Sequence, residues 1–183
     1  MREISLHILD IVQNSISANA SLIEVSISEN TEKDEFVVKI TDNGKGMSKE
    51  LVEKVIDPFT TSRTTRKVGL GIPLFKTAAE LTGGRFDIKS VPGEGTVVTA
   101  VFVRSSIDRQ PLGDINGTML GLFTSYESID FIYTHELDSK VFKTDTRELK
   151  EILGGISLSQ PEVYLWLTEY LEEGEREILN QSI

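Results

Sequence analysis

The chain contains no cysteine, which removes disulfides, thiolate zinc sites and cysteine nucleophiles from consideration. Its only two histidines, His7 and His135, leave little room for a histidine-rich metal site or a serine triad. Apolar runs are only a few residues long, so no segment can span a bilayer. The opening Met1-Arg2-Glu3-Ile4-Ser5-Leu6-His7 lacks the apolar core and small-residue cleavage site of a signal peptide, and a cytoplasmic location is expected. No fixed-period repeat or low-complexity stretch occurs. The phosphate-loop pattern Gly-x-x-x-x-Gly-Lys-Ser/Thr is missing too, and Asp42 to Glu50 is not a calcium loop, because Gly44 occupies the second ligand position.

What is present suits a soluble globular core: 39% hydrophobic and 26% charged residues in 183. The net charge of −10 is unevenly spread. Residues 1–104 carry 13 basic and 14 acidic side chains; residues 105–183 carry 6 and 15. So acidic a segment repels phosphate backbones, which argues against nucleic acid or an anionic membrane as its partner. The shift marks a boundary near Arg104 to Pro111 and predicts two units, 1–104 and 105–183.

Residues 3–18 read as a helix, with Ile4, Ile8, Ile11, Val12 and Ile16 on one face and Asp10 and Asn14 stacked on another. Alternation at Ile23, Val25 and Ile27 predicts a half-buried strand, and a polar turn leads to a second strand, Phe36 to Thr41, as an antiparallel hairpin. A short helix follows over Ser48 to Ile56, capped by Ser48, with Leu51, Val52 and Val55 as its apolar side. Thr60 to Lys67 has no apolar periodicity and reads as a loop. Gly69-Leu70-Gly71 opens a helix running to about Thr82, with Pro73 in its first turn and Gly83-Gly84 ending it. Two more strands, about 85–90 and 96–103, follow; the second is apolar on both faces, which places it inside the sheet. Residues 1–104 thus predict helices on one face of a mainly antiparallel sheet. Beyond the boundary, Leu112 to Phe123 marks a helix, 129–135 and 140–144 a hairpin, and Asp145 with Glu148 and Ser159 with Glu162 two helix starts. The last helix carries Val163, Trp166, Leu167, Tyr170 and Leu171 on one side.

Three separated features share one chemical theme. Asp42-Asn43-Gly44-Lys45-Gly46-Met47 sets a carboxylate at a strand end before a glycine-rich turn, where it can accept from the exocyclic amine of adenine while the glycines let the base approach. Gly69-Leu70-Gly71 precedes a helix whose free amides and positive end can hold phosphate, with Arg63, Arg66 and Lys67 in the loop leading in. Asp10 and Asn14 offer oxygen ligands, and magnesium held against substrate phosphates needs only one or two. Taken singly, each has an ordinary structural explanation: a turn, tight packing, an exposed helix face. Their order in one chain carries the reading.

In that order the chain resembles the GHKL superfamily of gyrase, the large heat-shock chaperone, histidine kinases and mismatch-repair ATPases, over about residues 3–104. "LDIVQNSISANASLIEVSI" is similar to the family's first box, "DNGKGM" to the adenine box, "DPFTTSRTTRKVGLGIPL" to the lid and phosphate-binding glycines, and "GEGTVVTAVF" to the closing strand. The resemblance implies an α+β fold, a two-layer α/β sandwich of the Bergerat ATP-binding type with a small α+β C-terminal appendage. It implies ATP and Mg2+ as ligands, with Asn14 as the metal ligand and Asp42 as the base-reading carboxylate. Gly44, Gly46, Met47 and Phe59 would line the base pocket, Arg66, Lys67, Gly69, Leu70 and Gly71 would serve the phosphates, and Thr96 would join Asp42 through water. Hydrolytic members carry Glu four residues before the Asn; here Asp10 stands there as the base, one carbon shorter, which puts turnover in question while leaving binding intact. His7, one turn before Asp10, reads as structural, as does His135.

The whole chain is similar to short stand-alone ATP-binding proteins of anaerobic bacteria, in "LHILDIVQNS", in "TTRKVGLG" and in its acidic C-terminal part. That resemblance implies a regulatory role linked to iron-hydrogenase systems, with a protein partner met through residues 105–183. A slow Mg-ATPase switch leads; a protein kinase acting on a partner and a non-catalytic nucleotide sensor are the alternatives.

Overall fold

The computed structural model describes residues 3–57 and 69–180. The first helix, α1 (Ile4–Ser17), buries Ile4, Ile8, Ile11 and Val12 as its spacing dictates. No side chain caps its first turn; the amides of Ile4 and Ser5 instead donate to the carbonyls of Pro111 and Leu112, at 2.9 and 2.8 Å. That exchange satisfies amides a helix start otherwise leaves open. Strands β1 (Leu22–Asn30) and β2 (Glu35–Asp42) form the expected antiparallel hairpin, with Ile27 opposite Val38 and Ile23 opposite Asp42.

Helix α2 (Lys49–Ile56) is capped by Ser48, whose hydroxyl accepts from the amide of Leu51. It buries no residue completely. After α3 (Gly71–Leu81) come β3 (Arg85–Val91) and β4 (Gly95–Val103), and β4 lies between β3 and β2, inside the sheet as its two apolar faces require.

Residues 105–180 continue both layers. Helix α4 (Ile115–Ser125), β5 (Asp130–Leu137), β6 (Lys140–Asp145), α5 (Thr146–Ile152) and α6 (Pro161–Leu179) follow in order. The six strands form one sheet, β3-β4-β2-β1-β5-β6, in which β5 runs parallel to β1 while the other neighbours are antiparallel. Val25 stands level with Tyr133 and Ile27 with His135. One sheet face meets α1, α3, α4 and α6 in a continuous core from Ile4 to Leu171. The other face carries exposed Glu24, Lys39, Asp87 and Lys89. This is the two-layer Bergerat-type sandwich.

Two helix details differ from the sequence reading. Pro161 occupies the first turn of α6, so Gln160 rather than Ser159 stands at its N-cap position, and the Ser159 amide turns to Glu127. Val163, Leu167 and Leu171 are buried, whereas Trp166 is 41% exposed and stacks on half-buried Tyr170, ring centroids 5.5 Å apart. At 3.6 residues per turn, positions 163, 167 and 171 share one line, with 166 and 170 on its flank.

A buried polar chain crosses the join between the segments. Tyr133 Oη donates to Glu175 Oε1 at 2.6 Å, the ring nitrogens of fully buried His135 meet Glu175 Oε2 at 2.7 Å and Glu29 Oε1 at 3.2 Å, and Arg104 Nε donates to Glu29 Oε2 at 3.0 Å. Burial alone would lower the His135 pKa; the hydrogen bonds to Glu175 and Glu29, and their charges, overcome it and raise the pKa to about 9. Glu29 also feels burial, which raises its pKa, but His135 and Arg104 hold it below the ordinary value. The unfolded chain releases the histidine proton near pH 6.5, the folded chain only near 9. The His135 contribution to stability is therefore complete below pH 6.5 and is lost as pH rises through 9. Urea midpoints measured from pH 6 to 10 should fall across that window. A flat profile would mean His135 is neutral when folded.

Candidate functional site

At the end of β2 the chain must turn sharply beneath α1. The side chain of Asn43 fixes that turn: its Oδ1 accepts from the amides of Ser21 and Leu22, and its Nδ2 donates to Ser21 Oγ. The Lys45 amide donates to the carbonyl of Ala18, at 2.9 Å. Gly46 takes a left-handed φ of 65°, and a Cβ there would collide with the carbonyl of Val91. Only glycine fits.

This turn presents the Asp42 carboxylate with both oxygens already anchored. The Gly44 amide donates to Oδ1 at 2.9 Å, and the hydroxyl of buried Ser15 donates to Oδ2 at 2.6 Å. Each oxygen keeps a further lone pair. Thr96 lies directly opposite Asp42 in the β2–β4 register. The carboxylate and Thr96 face a cavity of about 330 Å³. Its apolar walls come from Ile11, Met47, Leu51, Val55, Ile72 and Val98; its polar groups include Asn14, Ser15 and Lys45. Gly46 and Gly69 complete the lining. The incomplete burial of α2 thus has a cause: Leu51 and Val55 spend their apolar face on the cavity.

Asn14 and Asp10 lie four residues apart on α1, as the spacing predicts. Asp10 stands against the start of α3: a Cβ on Gly71 would come within 3.0 Å of the Asp10 Cβ and 3.2 Å of its Oδ2. Glycine lets the two helices meet there. Among the described residues no side chain caps the N-terminus of α3, and the first amides of a helix have no partner within it. Leu70 is 61% exposed and is not part of the cavity wall. Phe59, Arg66 and Lys67, with Arg63, fall outside the described residues.

Sequence reasoning missed Ser15, Asn43 and Ser90. Ser15 had a signal: it is a polar residue four after Ile11 and three after Val12, inside the apolar stripe of α1. The two histidines lie elsewhere. His7 is buried, stacked on Phe75 at 5.2 Å and paired through Nε2 with Gln110 at 3.0 Å; burial lowers its pKa. Among the described residues, no group of three or more His, Asp or Glu side chains is placed to hold a metal ion. Asn14 fits the other kind of magnesium site, a single protein oxygen beside substrate phosphates.

A two-layer sandwich whose helix-covered cavity runs from an anchored carboxylate to a helix start defines the class of Bergerat-type nucleotide-binding domains. Comparison with known proteins places the chain within that class. Residues 2–106 match the family described as Histidine kinase-, DNA gyrase B-, and HSP90-like ATPase, and the chain belongs to it. The Cell-division control histidine kinase PdhS of Brucella ovis is 32% identical over 115 residues, which cover 55% of this chain and 11% of the kinase. Its counterpart in Brucella canis is 34% identical over the same length and coverage. The chain spans about a tenth of these relatives. Among solved structures, the N-terminal domain of a DNA repair protein has a TM-score of 0.54 at 16% identity, covering 79% of this chain and 52% of that one. The Aquifex aeolicus MutL ATPase domain complexed with ADP has a TM-score of 0.50 at 15% identity, covering 84% and 70%. These coverages exceed the first 104 residues, so the shared fold takes in part of the acidic segment. Among the described residues, no helix is long and apolar enough to cross a membrane.

Proposed function

We propose that this protein binds ATP with magnesium and hydrolyses it slowly, as a nucleotide-dependent regulatory switch. The observation that carries this reading is the Asp42 carboxylate, held by Ser15 and Gly44 at one end of a 330 Å³ cavity beside Asn14. Two anchored acceptor oxygens suit the exocyclic amine of adenine. Guanine would offer a carbonyl there, acceptor against acceptor. The walls Ile11, Met47, Ile72 and Val98 enclose an apolar ring face. The start of α3, with Gly69 and Gly71, receives the phosphates; Arg66 and Lys67 are the basic residues the sequence offers to them.

Asn14 would hold magnesium against the phosphates, and the ion would supply charge neutralisation there. Asp10 accepts a proton from a water as that water's oxygen bonds to the γ-phosphorus. The bond from the γ-phosphorus to the bridging oxygen of ADP breaks, and phosphate and ADP leave. Asp10 then returns its proton to solvent. The shorter stem, set against Gly71, makes this a slow base.

The similarity to histidine kinases over 115 residues favours one second reading, transfer of the phosphoryl group to a partner. His7 and His135 are buried at 1% and 0% exposure, so the acceptor would belong to the partner. Incubation with γ-labelled ATP separates the two: label appears as free phosphate or on the partner. The redox link rests on the resemblance to stand-alone ATP-binding proteins of anaerobes. The acidic segment 105–183 provides the surface for a protein partner.

Asn14→Ala should weaken magnesium-dependent ATP binding about tenfold or more while leaving metal-free ADP binding within about twofold. Calorimetry with and without EDTA measures this. Equal losses for both ligands would show that Asn14 touches the nucleotide and not the metal.

A further inference from the structure

Asp42, Thr96 and Ser90 stand in one row across three neighbouring strands, Asp42 opposite Thr96 and Thr96 opposite Ser90. Thr96 lines the cavity; Ser90 lies behind it. The Ser90 hydroxyl has three neighbours within hydrogen-bond distance. The Met47 amide donates to it at 2.8 Å, the carbonyl of Gly95 lies at 2.9 Å, and Thr96 Oγ1 lies at 2.8 Å. A hydroxyl has one proton to give and two lone pairs to fill. The Gly95 carbonyl can only accept. If Ser90 gives its proton to Gly95, Thr96 can give its own to Ser90, and all three contacts become hydrogen bonds. If Ser90 gives its proton to Thr96, the Gly95 contact is empty and one bond is lost. The first arrangement wins by about one hydrogen bond.

We infer that Ser90 is a specificity-determining positioning residue, which draws the Thr96 proton away from the cavity and leaves Thr96 an acceptor toward the base. It acts with Asp42, whose oxygens also only accept. In direct contact the two acceptors reward the protons of an amine on the six-membered ring, and a ring without that amine forfeits them. The inference rests on the nucleotide-binding reading above and deepens it: discrimination at the base is set partly by a side chain that never touches the base.

Removing the Ser90 hydroxyl frees the Thr96 proton to turn toward the cavity and donate. The test is calorimetry of ATP and purine riboside triphosphate, which differ only in the amine at that ring position and share the same acceptor N1. The full chain is used, with Ser90→Ala, Ser90→Thr, Thr96→Val and the Ser90→Ala/Thr96→Val double variant. In Ser90→Ala the ratio of the two affinities should narrow by about fivefold to tenfold, a loss for ATP without a matching loss for the amine-free nucleotide. Ser90→Thr, which keeps the hydroxyl, should hold the parental ratio. The affinity ratio of the double variant should match that of Thr96→Val alone, because Ser90 sets the ratio through Thr96, while its bonds to Met47 and Gly95 act on both nucleotides alike. A purely structural role would weaken both nucleotides equally and leave the ratio unchanged; that result overturns the inference, as does a double variant whose ratio changes add. If the parent chain itself binds both nucleotides alike, the adenine reading of the site fails first.

Discussion

Asp42→Asn should lower ATP affinity about thirtyfold or more, equivalent to about 2 kcal/mol, with less discrimination against GTP. The parent carboxylate receives Gly44 N–H on one oxygen and the Ser15 hydroxyl on the other. An asparagine has one acceptor and one donor group. The Gly44 amide can only donate, so the asparagine oxygen must turn to it, and the amide nitrogen turns to Ser15, whose hydroxyl can reverse. The fold therefore survives the change, but one of the two acceptor positions becomes a donor. The adenine amine loses a charged partner, and a guanine carbonyl gains a neutral N–H donor. Calorimetry with ATP and GTP on both proteins reads the outcome. Unchanged ATP affinity in a folded variant would remove Asp42 from the base site.

Asp10→Asn should reduce phosphate release at least about a hundredfold while leaving the ATP dissociation constant within about threefold. Asparagine has the shape of aspartate, so the contact with Gly71 that brings α1 and α3 together is kept. What it lacks is a basic oxygen to take the proton from water. Because the parent reaction is expected to be slow, release of labelled phosphate is followed over hours at saturating ATP. Full turnover in the variant would place the base elsewhere. Asp10→Glu is the natural companion: it restores the longer stem of hydrolytic relatives and should raise the rate if reach limits attack.

The hairpin of β1 and β2 was legible because both strands alternate and are joined by a short polar turn. The interior position of β4 was legible from apolar residues on both its faces. Asn14, Asp42, Gly46, Met47, Gly69 and Thr96, which the sequence presents in separate motifs, all line one cavity. The partners of Ser15 and Ser90 were not legible, because a serine in a helix or strand has no spacing rule that names them. Ser15 bonds to a residue 27 positions away and Ser90 to one 43 away. The spacing puts Trp166 on the apolar side of α6 with Val163, Leu167 and Leu171, but only the packing decides how deep each lies: Trp166 stays on the flank, 41% exposed and stacked on Tyr170.

By itself, then, the sequence determined the local elements, the order of the nucleotide motifs and the anchoring carboxylate, because helical and strand periodicity and glycine-dependent turns act within a few residues. Only the tertiary structure decided that the acidic segment continues the same sheet. Alternation in β1 says that one face is buried but not which strand fills its second edge, and β5 takes that edge in parallel, more than a hundred residues later. The same pairing brings His135 to Glu29, 106 positions away, and Glu175 to His135, 40 away. It also brings Pro111 and Leu112 over the first turn of α1, the helix that carries Asp10 and Asn14. Such contacts form because buried charges and open helix amides must find partners somewhere in the core, and only the folded chain fixes which ones lie within reach.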